Sequence, residues 1–266
     1  MVKTYYFDAG LPRSGSTLIT ALLNQNPQIH AGPLSPVFEV MYYTNERLQG
    51  EQAQAFPKPE IFKKMVKNVI DTYYEDVDKP YVIDKCRAHT AHINLIKEYI
   101  TPEPKILCTV RHPLDILASF IDLINNSRSI SFIDKALLQQ NMFITNDTRC
   151  NLMMSPGGII WESMNALATA FRNNQTQHIH FIQYDDLVSD PKRVMQGIHS
   201  FLRMKPYEYD FENVENKYRE NDKDVYGLPT MHEVRSKVEK KSRHYSEVLS
   251  EEVINKYKDL DFWNKQ

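Results

Sequence analysis

Thr4-Tyr5-Tyr6-Phe7-Asp8-Ala9 runs directly into Gly10-Leu11-Pro12-Arg13-Ser14-Gly15-Ser16-Thr17, and this stretch decides the fold. The first six residues are a short apolar run and predict a β-strand over 4–9. Leu18, Leu22 and Leu23 recur at helical spacing and predict a helix over 15–25, with those residues on its buried face; Pro27 stops it. A glycine-punctuated loop therefore joins a strand to a helix start. Backbone N–H groups at a helix start point outward and attract anions, and the glycines let the main chain approach phosphate oxygens. The spacing imitates G-x-x-x-x-G-K-[ST], whose lysine touches terminal phosphates. Here Ser16 occupies the lysine position and the cation is Arg13, inside the loop. Taken bare, the same residues also suit a glycine- and serine-rich turn that holds no ligand.

Outward from this loop, short β-rich runs alternate with helical patterns. Strands are expected at 81–84, 105–110 and 178–183. Helices are expected from 36 through 43, over 60–74, 113–125 and 160–173, from Ser189-Asp190-Pro191 to about 203, and over 246–258. Residues 56–59 read as a loop, 127–155 carry no clear pattern, and Pro156-Gly157-Gly158 punctuates the chain. The alternation predicts an α/β architecture: a central, mainly parallel sheet covered by helices on both faces. No repeat, low-complexity segment or linker is evident, so residues 1–266 are expected to form a single domain.

The composition excludes some classes of function. The chain has 266 residues, 42% hydrophobic and 25% charged, with a formal net charge of -2. That balance gives no reason to expect nucleic acid or an anionic membrane as partner, so any anion site is local. The three cysteines, Cys86, Cys108 and Cys150, are odd in number and far apart, which fits a reducing compartment better than a disulfide framework. The apolar run at the N-terminus is too short for a signal-peptide core, and no run approaches the ~20 residues of a transmembrane helix. A cytoplasmic location is expected.

A second candidate anion site is Val110-Arg111-His112-Pro113-Leu114-Asp115-Ile116-Leu117-Ala118-Ser119, where a strand ends and a helix begins. Arg111 leaves the strand end, where ligands of open α/β sheets gather. Ser119 lies two helical turns on and shares that edge. An arginine fork with a hydroxyl suits a phosphate; a structural pairing of Arg111 with Asp115 is the plainer alternative.

These two segments carry a resemblance. Residues 10–23 resemble the 5′-phosphosulfate loop of sulfotransferases that use 3′-phosphoadenosine 5′-phosphosulfate (PAPS), closest to the Golgi carbohydrate and protein-tyrosine type with arginine in the loop. Arg111 and Ser119 have the spacing of that family's 3′-phosphate site. Ile182-Gln183-Tyr184-Asp185-Asp186-Leu187-Val188-Ser189-Asp190-Pro191 is similar to the family's strand and turn near the adenosine, and Trp161 precedes it in a familiar position. The likeness covers most of 4–203.

The resemblance implies a P-loop nucleoside-triphosphate-hydrolase-like fold and transfer of a sulfuryl group from PAPS to an acceptor hydroxyl or amine. The product would be 3′-phosphoadenosine 5′-phosphate (PAP), and no metal would be required. Arg13, Ser14, Gly15, Ser16 and Thr17 would hold the 5′-phosphosulfate, Arg111 and Ser119 the 3′-phosphate, and Tyr184 the adenine. Lys85, after the 81–84 strand, would stabilise the transferring group with help from Arg13. Two family positions for the base hold other residues here, Leu34 and Arg87; Glu39, early in a helix and about where heparan-type N-sulfotransferases place a catalytic glutamate after the loop, is the expected base by that resemblance, with His89 in reserve. The stretch 224–235 would pack beside the nucleotide, and Lys237, Lys240, Lys241 and Arg243 would close over the 3′-phosphate. Segments 33–50 and 127–155 would shape the acceptor pocket, for a sugar, lipid, peptide tyrosine or small alcohol. Two rivals stand beside this reading: a phosphate-loop nucleotide kinase, which needs the missing lysine and a magnesium site, and a PAPS- or PAP-binding module without catalysis. Cys86, His89 and His92, near Asp84, imitate a zinc site but lack an evident fourth ligand.

Overall fold

Alternate side chains of the first strand enter two different cores, as the two-residue period of a strand requires. Tyr5, Phe7 and Ala9 belong to one apolar cluster and Tyr6 to another. In the computed structural model, which describes residues 2–239 and 243–264, this strand is the centre of a five-stranded sheet in the order β2-β3-β1-β4-β5. The strands are β1 (Thr4–Gly10), β2 (Ile29–Leu34), β3 (Tyr81–Lys85), β4 (Ile106–Val110) and β5 (Ile179–Gln183). Every neighbouring pair is parallel. Parallel neighbours need crossover connections, which helices supply. In chain order these are α1 (Ser16–Leu23), α2 (Val37–Leu48), α3 (Glu51–Gln54), α4 (Pro59–Tyr73), α5 (Ile93–Tyr99), α6 (Pro113–Asn125), α7 (Phe132–Gln139), α8 (Asn146–Met153), α9 (Ile159–Arg172), α10 (Tyr184–Ser189), α11 (Pro191–Leu202), α12 (Asp222–Tyr226) and α13 (Glu251–Tyr257).

The two cores are the two faces of the sheet. One packs side chains from α1, α10 and α11 and from the coil after α11, including Val214. The other packs α2, α4, α5, α6, α9 and α13, with Phe7 wholly buried among them. This is the expected α/β sheet covered on both faces. Because all strands run the same way, their carboxyl ends share one edge. The strand order reverses between β1 and β4, which is where open α/β sheets bind ligands.

Most expected elements form within one or two residues of their expected ends. Gly15 precedes α1 rather than opening it, and its φ of 96° belongs to the loop. The expected last helix is a 3₁₀ turn at Tyr245–Glu247 followed by α13, which Ser250 caps by accepting from the Val253 N–H. The unread segment 127–155 contains α7 and α8. Ser131 caps the first, and Thr145 with Thr148 forms a reciprocal capping box on the second. No strand was expected at β2.

Beneath β3 lies a buried polar knot. Asp84 accepts from Tyr74 Oη at 2.6 Å and Ser35 Oγ at 2.5 Å, and His89 Nε2 lies 2.8 Å from its other oxygen. Burial by itself would raise this carboxyl's pKa; the hydrogen bonds from His89, Ser35 and Tyr74 outweigh it and hold the pKa below the ordinary value. The knot anchors the strand end that carries Lys85. No helix among the described residues is long and apolar enough to cross a membrane.

Candidate active site

β1 ends at Gly10, with φ at 125°. A Cβ there would sit 2.3 Å from the Thr109 carbonyl oxygen, so glycine is what lets the two strand ends press together. Ser14 then turns inward: its Oγ lies 2.7 Å from Thr109 Oγ1 and 2.5 Å from the Leu11 carbonyl oxygen. The loop is thus fastened to β4 before α1 begins at Ser16.

Both expected cradles open into one cavity of about 490 Å³. Arg13, Gly15, Ser16 and Thr17 line it from the loop, Arg111 from the end of β4, Ser119 from α6 and Tyr184 from α10. Lys85, at the end of β3, lines it too. The cradles touch directly: Arg111 Nη1 donates to the Arg13 carbonyl at 3.2 Å, and Arg13 Nε donates to Ser119 Oγ at 3.2 Å. The Arg111 guanidinium lies 4.3 Å from the centre of the Tyr184 ring, a cation–π contact. Asp115 does not take Arg111. Neither arginine forms an ion pair among the described residues. Burial, then the like charge of Arg111, lowers the pKa of Arg13. Burial also lowers that of Lys85, while Asp8 and Glu220 pull it back up. Burial disfavours the charged forms of Arg13 and Lys85, so an anion bound among these cations would stabilise them.

Three expectations meet a different geometry. Ser14 does not line the cavity, because its hydroxyl holds the loop to β4. Glu39 lies apart from it, in a shallow groove with Val40, Tyr43, Thr44, Arg47, Leu48 and Met65. Val37, Phe38 and Met41 turn into the core, so the helix carries Glu39 outward. His89 is buried against the rings of Phe7 and Phe38 with its Nε2 on Asp84. That commitment also removes it from the imagined Cys86–His89–His92 site; His92 packs on Phe38 and Tyr42. Trp161 sits half-buried on α9, outside the cavity lining.

The polar tail reaches the same cavity. Thr230, Met231, His232, Glu233, Val234 and Arg235 all line the cavity, and Arg13 Nη1 donates to the Met231 carbonyl. The stretch expected beside the nucleotide therefore packs against the loop that joins β1 to α1. Lys237 lines the cavity while paired with Glu212 at 2.6 Å, and Arg243 pairs with Asp122; Lys240 and Lys241 lie outside the described residues. Of the two expected acceptor segments, Leu34 reaches the cavity from the first and no residue from 127–155 does.

Sequence reasoning missed Asp8, Arg87, Glu220, Tyr226 and the role of His232. Asp8 is the β1 residue beside Lys85 in the sheet register, wholly buried, and both its carboxylate oxygens are unpartnered. Burial pushes its pKa up to about 7, with Lys85 opposing and Asp84 adding. A charged residue inside an apolar strand was the signal that pointed to it. Arg87 occupies the position already noted as a departure, and it adds a further cation to the lining.

A profile of the sulfotransferase family matches residues 7–208. No match was found among curated proteins. Solved structures with the same fold include mouse sulfotransferase SULT7A1 complexed with PAP, at 13% identity and TM-score 0.55, covering 97% of this chain and 84% of that one. The sulfotransferase domain of the Synechococcus PCC 7002 olefin synthase is 18% identical at TM-score 0.51, covering 88% and 84%. Retinol dehydratase in complex with retinol and PAP is 14% identical at TM-score 0.50, covering 100% and 81%.

Proposed function

Because the chain belongs to the sulfotransferase family, we propose that it transfers a sulfuryl group from PAPS to an acceptor hydroxyl or amine. The observation that carries this reading is the single cavity shared by Arg13, Lys85 and Arg111, three cations from the ends of β1, β3 and β4. Two proteins of the same fold were solved with PAP, which supports an adenosine bisphosphate as the ligand.

Sulfuryl transfer, like phosphoryl transfer, depends on positioning and on stabilising charge that develops in the transition state. The backbone of residues 13–17 and the Arg13 side chain bind the 5′-phosphosulfate. Arg111 and Ser119 bind the 3′-phosphate and fix the donor's length across the strand ends. Tyr184, already under Arg111, flanks the adenine. Lys85 faces the transferring group and stabilises the charge passing to the departing phosphate oxygen, with Arg87 beside it. The three thiols are free, so we take a reducing compartment, the cytoplasm, as the working location.

Labelled PAPS incubated with sugars, lipids, tyrosine peptides and small alcohols tests the activity. Arg13→Ala and Lys85→Ala should each lower turnover at least ~100-fold with unchanged circular dichroism. Unchanged rates in both would overturn the assignment. Thermal stabilisation by ATP with magnesium but not by PAP would point to the kinase instead. Donor binding with no transfer to any acceptor would point to a binding module.

A further inference from the structure

We propose that His232, held by Asp222, is the general base of this site, an assignment that rests on the sulfuryl-transfer reading above. The two residues form a clamped pair. The His232 backbone N–H donates to Asp222 Oδ2 at 2.8 Å, and Nδ1 lies 2.6 Å from Oδ1 of the same carboxylate. An ionised carboxylate only accepts, so Nδ1 carries a proton, and in the neutral imidazole Nε2 keeps its lone pair. Nε2 has no hydrogen-bond partner among the described residues. His232 lines the same cavity as Lys85 and Arg13, so the free lone pair belongs to a side chain of the reaction space.

Three neighbours tie this pair to the cavity wall. Arg13 donates to the carbonyl of Met231, the residue just before His232. Glu220, 3.4 Å from His232 Nδ1, also acts on Lys85 and Arg87 through its charge. The Tyr226 ring meets the imidazole edge-to-face at 5.7 Å. The pair has the two-part form of an oriented base: the carboxylate fixes ring and tautomer, and the ring takes the proton.

The step balances. The acceptor oxygen or nitrogen bonds to sulfur as its proton passes to His232 Nε2. The bond from sulfur to the bridging oxygen of the 5′-phosphate breaks, and its electron pair leaves on that oxygen as PAP departs. The new imidazolium is paired with Asp222, and nothing is oxidised or reduced. Asp222 is a positioning residue that never touches the acceptor. Glu220, Asp222 and His232 also bring their ligand atoms within 4.8 Å of one another, so a divalent cation is the competing occupant.

The test uses the full chain with PAP, PAPS and the acceptor library. His232→Gln should lower kcat ~100-fold or more while Kd for PAP changes less than threefold. His232→Ala should regain activity when imidazole is added. Asp222→Asn should lower kcat with little change in the KM for PAPS, and Asp222→Glu should recover part of the loss. Long-range ¹H–¹⁵N spectra of histidine-labelled protein should show His232 protonated at Nδ1. Protonation at Nε2, unaltered turnover in His232→Gln, or turnover abolished by EDTA and restored by Zn²⁺ each overturns the base. Failure of the wild-type chain to bind PAP overturns the donor-site reading instead.

Discussion

Asp8 sits in an environment far from what its chemistry prefers. A carboxylate wholly inside the protein, with no hydrogen-bond partner, is tolerated because it is protonated over much of the accessible pH range. Its folded pKa, about 7, lies above the 3.8 of an exposed aspartate. The folded chain therefore holds a proton that the unfolded chain has released. Asp8's contribution to stability is fully present below about pH 4 and is lost as pH rises through about 7. A displacement of that size corresponds to on the order of 4 kcal/mol. Asp8→Asn removes the titration, so the variant should gain on wild type between pH 4 and pH 7, and the gap should then stay level. Urea unfolding at pH 4.5, 6 and 8 measures it; a gap that does not move with pH would show that Asp8 is ionised throughout. Arg13 poses the opposite problem, a cation beside the like charge of Arg111, and a bound polyanion relieves that strain as a neutral side chain would not.

At the scale of elements, the loop between β1 and α1 is a joint with no slack. Gly10 meets the Thr109 backbone where any Cβ would sit at 2.3 Å, and its φ is one that other residues rarely adopt. Gly10→Ala should cost about 2–4 kcal/mol, seen as a lower urea midpoint, and should weaken PAP binding more than the stability loss alone explains, because the loop's amides shift with it. An unchanged midpoint and Kd would mean that the joint yields. This element was legible from sequence because an apolar run, two glycines and a leucine stripe agree on one geometry; β3, β4 and β5 were legible as short β-rich runs between helical patterns. β2 was not: Gly32 and Pro33 fall within Ile29–Leu34, and both argue against a strand. It forms at the sheet edge, with a register shift between Ala31 and Leu34, where a missing N–H costs little. Glu39 failed for a different reason. Distance along the chain from the loop does not say which side of a helix faces the cavity; Val37, Phe38 and Met41 settle that by entering the core. His232 reaches the cavity on coil that follows α12, where no periodicity exists to place it.

For the molecule as a whole, the question is whether one ligand joins the two halves of the sheet edge. The cradles come from β1 with α1 and from β4 with α6, and they already meet through Arg13, Ser119 and Arg111. A ligand that binds only the folded chain stabilises it by about 2.7 kcal/mol at a hundred times its Kd, so PAP should raise the melting temperature by several degrees. The two ends separate by ligand choice. Adenosine 5′-phosphate lacks the group that Arg111 and Ser119 are assigned, so Arg111→Ala should weaken PAP at least ~10-fold and leave adenosine 5′-phosphate nearly unchanged. Arg13→Ala should weaken both. Ser119 Oγ accepts from Arg13 and keeps its O–H to donate to a 3′-phosphate, so the two contacts are compatible. Ser119→Ala removes one neutral hydrogen bond and Arg111→Ala a charged fork, so Ser119→Ala should weaken PAP less than Arg111→Ala does. Calorimetric titration of the three variants with both nucleotides decides the matter: equal losses for PAP and adenosine 5′-phosphate in Arg111→Ala would mean that the two arginines do not grip opposite ends of one molecule.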